Sequence, residues 1–318
     1  MDIRLTIDGK SVTVPKGTPV IEAAKKIGIK IPALCYDKNL QIVSSCRLCL
    51  VEVEGDRKLQ TSCSLLVREG MVVHTMTDRL VRIRKGLLRL LLDNHPNDCL
   101  TCQKAGDCLL QQYAYEYDVA FRTHDGARRG TEEARFTDTS SPFILRDESK
   151  CILCGKCVRT CGEILDRQVL NFAGRGFDTH ISADADQTLE ESTCVSCNRC
   201  VTVCPVGALI DRPAYEARLR EWQGTKKGVK CRACDYGCNM EVHKVGNRVA
   251  VRAKDPAGGR PLCLRGRLFT MAEHMKNLPK HTYKKVETPE GRRFVQTSWQ
   301  EALSLDQVLA NLPDPDDE

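Results

Sequence analysis

Nineteen cysteines and one histidine placed among them give this 318-residue chain twenty candidate metal ligands, and they fall into five groups of four. Cys35, Cys46, Cys49 and Cys63 are spaced C-x10-C-x2-C-x13-C; His95, Cys99, Cys102 and Cys108 read H-x3-C-x2-C-x5-C. Cys151, Cys154, Cys157 and Cys161 form C-x2-C-x2-C-x3-C, a run repeated at Cys194, Cys197, Cys200 and Cys204 and followed there by Pro205. The last group, Cys231, Cys234, Cys238 and Cys263, reads C-x2-C-x3-C-x24-C. Closely spaced thiolates on an open loop reach several corners of one iron–sulfur core, and a more distant ligand closes it. Zinc uses similar short spacers and stays an alternative, most of all for the last group. Cys99, Cys102 and Cys108 would lack a fourth partner on their own, and His95 stands where that ligand is missing.

Cysteine at this density could instead staple a secreted domain. Residues 1–20, however, show no cationic start followed by an apolar run. No run of eighteen apolar residues occurs, since GLLRLLL at 86–92 is broken by Arg89. The expectation is a cytoplasmic chain without membrane insertion. The net charge of +6 is spread along the chain, without the basic–aromatic interleaving of nucleic-acid binders. Lys and Arg are expected to offset the negative charge of thiolate-bound clusters. With aromatics at 5 %, cores are thin and the clusters should contribute to folding stability. No G-x-G-x-x-G follows a strand and no G-x-x-x-x-G-K-[ST] occurs, so neither flavin nor NAD is expected on this chain, and no catalytic residue is assigned.

The elements that must position these ligands are partly visible. Residues 2–7 and 11–14 alternate as strands around Asp8-Gly9-Lys10. Thr18 offers an N-cap and Pro19 a first helical residue, before a stripe of Val20, Ala23, Ala24 and Ile27 that Gly28 closes. From Asp78 to Asn94, Leu80, Ile83, Leu87 and Leu91 predict one buried helical face, with Arg82, Lys85 and Arg89 opposite. Residues 125–148 read as a linker, Gln223 to Lys230 as a polar hinge, and Leu312 to Glu318 as a disordered acidic tail.

The segment CRLCLVEVEG at 46–55 resembles the N-terminal domain of the complex I large iron–sulfur subunit and of multimeric hydrogenases, and HPNDCLTCQKAGDC resembles the histidine-ligated [4Fe-4S] motif of that family. The tandem runs are similar to the two-cluster bacterial ferredoxins. That resemblance implies a crossover: one cluster on Cys151, Cys154, Cys157 and Cys204, the other on Cys194, Cys197, Cys200 and Cys161. The last group, with CDYGCNMEVHKVGNRVAVRAKDP and LCLRGR, resembles the [4Fe-4S] entry domain of molybdopterin oxidoreductases such as formate dehydrogenase. Arg265 stands where those enzymes have a lysine, a departure from the pterin pattern.

The resemblance implies an α+β, modular protein: a beta-grasp [2Fe-2S] ferredoxin at 1–78, a helical [4Fe-4S] segment with one histidine and three cysteine ligands at 79–124, a linker and two-cluster bacterial-type ferredoxin at 125–222, a small molybdopterin-oxidoreductase-type [4Fe-4S] domain at 223–285, and a C-terminal tail at 286–318. It implies one [2Fe-2S] and four [4Fe-4S] clusters, with no molybdopterin on this chain. The expected role is electron transfer in an NAD(P)-linked hydrogenase, one version being electron-bifurcating with ferredoxin. Expected partners are a flavin/NAD(P)-binding subunit, a small [2Fe-2S] thioredoxin-like subunit, and hydrogenase small and large subunits. The alternatives are the same role beside a formate dehydrogenase catalytic subunit, and a zinc-binding scaffold.

Overall fold

The computed structural model describes residues 1–96, 98–119, 137–220, 222–254 and 263–306. Alternation places Ile3, Leu5 and Ile7 of β1 (Asp2–Ile7) on one face with Val12 and Val14 of β2 (Lys10–Pro15), all buried. The turn between them uses left-handed Asp8 and Gly9. Helix α1 (Val20–Lys26) covers this face with Val20, Ile21, Ala23 and Ala24. It starts one residue later than the sequence suggests, because the Thr18 hydroxyl turns back to the Pro15 carbonyl at 2.7 Å and does not cap the helix. Strands β3 (Leu50–Val53), β4 (Gln60–Thr61) and β5 (Val72–His74) complete a sheet of order β2-β1-β5-β3-β4, in which β1 and β5 run parallel.

Helix α2 (Asp78–Asp93) is capped by the Thr77 side chain, which accepts from the Leu80 amide. Its fully buried face is Leu80, Arg84, Leu88 and Leu92, and the expected partners of Leu80, namely Ile83, Leu87 and Leu91, are only half-buried beside it. The stripe is displaced because Arg84 finds partners in the interior. Helix α3 (Leu109–Glu116) follows, burying Leu110 and Tyr113.

The middle of the chain contains β6 (Thr137–Asp138), β7 (Ile144–Asp147), α4 (Lys156–Arg159), β8 (Leu170–Ala173), β9 (His180–Ala183), α5 (Arg199–Val203), β10 (Leu209–Asp211) and α6 (Arg212–Glu216). A sheet of order β10-β7-β6 and the β8-β9 hairpin flank the helices. The linker expected over 125–148 is therefore corrected over 137–148: Ile144 is buried and β7 pairs with β10. The rest of that linker, 125–136, lies outside the described residues.

The last part folds as β11 (Thr225–Lys230), β12 (Asn239–Val245), β13 (Arg248–Ala253), α7 (Leu264–His274), β14 (Thr282–Thr288), β15 (Gly291–Thr297) and α8 (Trp299–Leu303). The expected hinge at 223–230 is mostly β11, an edge strand paired antiparallel with β12. It reads as polar because it is largely exposed. Residues 286–306, expected as tail, instead form the rest of the β14-β15 hairpin and α8. Phe294 meets Phe143 edge-on at 6.2 Å, and Leu303 is buried in the core shared by α2, α3 and the middle region. The acidic residues at 312–318 lie outside the described residues.

Candidate iron-sulfur cluster sites

The loop leading into β3 and the turn after β4 gather the first set as two pairs. Cys49 and Cys63 have their Sγ atoms 3.4 Å apart, while Cys46 hydrogen-bonds Cys35. The hydrogen bond from the Cys46 thiol holds Cys35 below the usual thiol range, and that from the Cys49 thiol holds Cys63 below it. Each pair thus shares a proton that a cation would displace. The Sγ of Cys46 accepts the Leu34 amide, and the Sγ of Cys35 accepts the Cys46 amide, both at 3.4 Å. Two thiol pairs suit a diiron core, which takes two thiolates on each iron.

The tandem repeats fold alike. Leu153 and Ser196 occupy equivalent left-handed positions, as do Gly155 and Asn198, at φ values of 51, 52, 67 and 66 degrees. A leucine in that region is strained, and the strain is offset by wrapping the loop so that amides face sulfur. The Leu153 amide donates to Cys151 Sγ and the Ser196 amide to Cys194 Sγ, each at 3.4 Å. Cys161 sits on a π-helical turn, Thr160–Ile164, that continues α4. Cys151, Cys154, Cys157 and Cys204 line one cavity together, roofed by Ile181, Val206 and Leu209. Cys161 lies instead within electrostatic reach of Cys194, Cys197 and Cys200. Burial, then the neighbouring charges, pushes Cys151 up to about 12, Cys154 to about 11 and Cys197 to about 11. Burial thus keeps these thiols protonated, and a bound cation would displace the proton. Among the described residues, no three His, Cys, Asp or Glu side chains are grouped to hold a single metal ion.

His95 follows the end of α2, is buried, and its Nδ1 donates to the Pro96 carbonyl at 2.9 Å. Burial holds the ring neutral, so Nε2 carries the lone pair. A backbone carbonyl fixing the other ring nitrogen is the usual support of a metal-binding histidine. Cys99, Cys102 and Cys108 lie within electrostatic reach of one another, and burial raises Cys108 to about 11. A Cβ on Gly207 would stand 2.8 Å from Cys102 Sγ, so this set packs directly on the middle region.

Cys231, Cys238 and Cys263 converge between β11, β12 and α7. The Cys231 amide donates to the Cys238 carbonyl at 2.8 Å, and a Cβ on Gly266 would lie 3.1 Å from Cys231 Sγ and 3.5 Å from Cys263 Sγ. The Ala233 amide donates to Cys231 Sγ, repeating the tandem-loop geometry. Cys234 and Cys263 are exposed, unlike the other seventeen cysteines.

The residues that sequence reasoning missed are cations. Arg84 is fully buried; its Nε donates to the Leu48 carbonyl and its Nη2 to the Leu50 carbonyl, on either side of Cys49. Arg220 donates to the Cys102 carbonyl. Lys285 of β14 donates to the carbonyls of Leu189, Ser192 and Cys194, and buried Arg267 of α7 to the Ser196 carbonyl and Asp211. The overall basic balance hinted at such cations; no spacing identified them.

These ferredoxin-like modules and thiol-lined sites define an iron–sulfur protein. Residues 1–78 match the 2Fe-2S iron-sulfur cluster binding domain, 84–122 the NADH-ubiquinone oxidoreductase-G iron-sulfur binding region, and 150–208 the 4Fe-4S dicluster domain. The chain is 36 % identical over 267 residues to NADPH-Fe(3+) oxidoreductase subunit alpha of Geobacter sulfurreducens, covering 83 % of this chain and 31 % of that protein. It is 40 % identical over 215 residues to NADP-reducing hydrogenase subunit HndD of Solidesulfovibrio fructosivorans, covering 66 % of this chain and 36 % of that one. With the mitochondrial NADH-ubiquinone oxidoreductase 78 kDa subunit of Candida albicans it shares 31 % identity over 311 residues, which cover 95 % of this chain and 41 % of that protein. The chain thus spans less than half the length of these curated relatives. Among solved structures, a chain of NAD+-reducing [NiFe]-hydrogenase in the H2-reduced state superposes with a TM-score of 0.61 at 34 % identity, over 66 % of this chain and 87 % of that chain. The protein belongs to the family of iron–sulfur subunits that this hydrogenase chain shares with the 78 kDa subunit of NADH-ubiquinone oxidoreductase. Among the described residues no helix is long and apolar enough to cross a membrane.

Proposed function

We propose that the chain is an electron relay carrying one [2Fe-2S] cluster on Cys35, Cys46, Cys49 and Cys63, and four [4Fe-4S] clusters. Their ligands would be His95, Cys99, Cys102 and Cys108; Cys151, Cys154, Cys157 and Cys204; Cys194, Cys197, Cys200 and Cys161; and Cys231, Cys234, Cys238 and Cys263. The relay would join a flavin/NAD(P)-binding subunit to a separate hydrogenase catalytic subunit, with a thioredoxin-like [2Fe-2S] subunit beside the flavin. Hydride chemistry moves two electrons, and clusters that each accept one allow the pair to be passed singly. The clusters, when bound, supply the redox chemistry. The chain's own residues hold them in buried loops, direct amides at the sulfurs, and counter their charge with Arg and Lys.

The observation that carries this reading is the cavity that collects Cys204 with Cys151, Cys154 and Cys157, which lie about 50 residues earlier in the chain, in the crossed pattern of a two-cluster ferredoxin. The similarity to a hydrogenase chain supports the hydrogenase partner over the formate dehydrogenase one. Iron and zinc analysis of anaerobically purified protein tests the cluster count. About 18 irons and no stoichiometric zinc are expected. About 14 irons with one zinc would assign the Cys231 set to a zinc ribbon, and a zinc-dominated protein would overturn the relay. The subunits that copurify identify the catalytic partner.

A further inference from the structure

We infer that Arg159 is a positioning residue shared by two cluster sites: one guanidinium locks the Cys35 loop against the Cys154 loop and sets the reduction potentials of both clusters together. The inference rests on the ligand sets proposed above. Arg159 ends α4, and its Nη2 donates to the Cys35 carbonyl at 2.7 Å and to the Cys154 carbonyl at 3.2 Å. Its Nη1 donates to the Gln41 carbonyl, and its Nε to the Gly155 carbonyl at 3.2 Å. A single side chain therefore bonds the backbone of a ligand from each of two sites, 119 residues apart in sequence, where the N-terminal and middle regions meet.

The surroundings hold it there. Lys156 Nζ lies 3.4 Å from Asp37 Oδ2, and the Gln41 amide donates to Glu163 Oε2 at 2.8 Å, so the same loop is gripped on both sides of the guanidinium. Gly155 is left-handed, and a Cβ there would stand 3.0 Å from the Phe172 ring, so glycine gives the turn under Arg159 its closest packing. The nearby acids already face other partners, Asp37 facing Lys156 and Glu163 facing an amide. The guanidinium charge is thus directed at the two ligand carbonyls. Reduction adds an electron to a cluster, and a fixed positive charge beside its ligands favours the reduced form. A lysine keeps the charge but lacks the planar fork that spans two carbonyls.

The test is a potentiometric titration of the full-length holoprotein, followed by paramagnetic resonance, with wild type, Arg159→Gln and Arg159→Lys. In Arg159→Gln the [2Fe-2S] cluster and the Cys151-set cluster should both become harder to reduce, each by about tenfold in its equilibrium, or about 59 mV for a one-electron couple. The Cys231-set cluster should not move. Arg159→Lys should keep both potentials near wild type and weaken the magnetic interaction between the two reduced clusters, because the fork that bonds both ligand carbonyls is lost while the Lys156–Asp37 and Gln41–Glu163 contacts remain. Should the glutamine variant lose iron, the lysine variant decides: wild-type potentials with weakened interaction support the inference, and any other result overturns it. Intact clusters at unshifted potentials in Arg159→Gln also overturn it. A wild-type protein lacking either signal would instead overturn the ligand sets.

Discussion

Replacing Arg84 with methionine should cost the [2Fe-2S] region a large part of its stability. The arginine is fully buried, and besides the Leu48 and Leu50 carbonyls at 3.0 and 2.7 Å it bonds the Thr75 carbonyl at 2.8 Å and the Tyr117 hydroxyl at 3.0 Å. Methionine fills a similar volume and donates nothing. The buried Leu48 and Thr75 carbonyls and the half-buried Leu50 carbonyl then lose this donor, at about 1–3 kcal/mol for each buried one and less for Leu50. Part of that is offset because a buried charge no longer needs to be desolvated. The net expectation is about 3–5 kcal/mol, against a typical domain stability of about 5–15 kcal/mol. Leu48 and Leu50 flank Cys49, so the damage should concentrate on one cluster. Urea titration of the holoprotein, following [2Fe-2S] absorbance beside far-ultraviolet circular dichroism, reads both effects. Arg84→Lys should fall between the two, since one ammonium cannot span the carbonyls. A methionine variant within about 1 kcal/mol of wild type with full [2Fe-2S] content would refute the assignment of Arg84 as the tie between α2 and the ligand loop.

His95→Ala should lose one [4Fe-4S] cluster and leave the [2Fe-2S] resonance intact, whereas His95→Cys should keep a cluster at altered potential; an unchanged spectrum in the alanine variant removes His95 from the ligand set. Lys285→Met leaves the Leu189, Ser192 and Cys194 carbonyls without their ammonium donor, so the Cys194-set cluster should be lost several-fold faster to a chelator, with the [2Fe-2S] cluster unaffected; equal loss rates in variant and wild type would remove the lysine from that role. His180 is raised by the Asp178 carbonyl and then by Asp186. Its contribution is therefore complete below the unfolded value of about 6.5 and is lost as pH rises through the higher folded value. Both partners are substantially exposed, which limits the effect to a few tenths of a kcal/mol. Unfolding midpoints of wild type and His180→Gln should converge at alkaline pH and separate near pH 6; a constant gap would exclude the linkage.

The β1-β2 hairpin was legible because its period-two pattern is local, and α2 because its apolar residues recur at helical spacing between Asp78 and Asn94. The tandem cysteine runs were legible because each folds its own loop, with the same left-handed positions in both copies. Arg84 escaped notice since a charged residue inside a helix reads as solvated; its partners come from 8 to 36 residues away. Strand β11 and the β14-β15 hairpin were missed for a related reason. Their side chains are mostly polar and exposed, and what fixes them is backbone pairing, to which composition is blind. Lys285 carried no signal of its own: a lysine on such a hairpin is ordinary until the carbonyls of a loop 91 residues earlier are placed beneath it.

That separation also has a meaning in time. A ribosome adds about 5–20 residues each second, so Lys285 emerges roughly 5–20 s after Cys194. For nearly all of this interval the Cys194 loop exists without the ammonium that will seal it, while the four cysteines of its set have already been translated. The contact that ties β14 to this loop is therefore among the last to become available: until Lys285 has been made, the carbonyls of Leu189, Ser192 and Cys194 lack the ammonium that joins them in the folded chain.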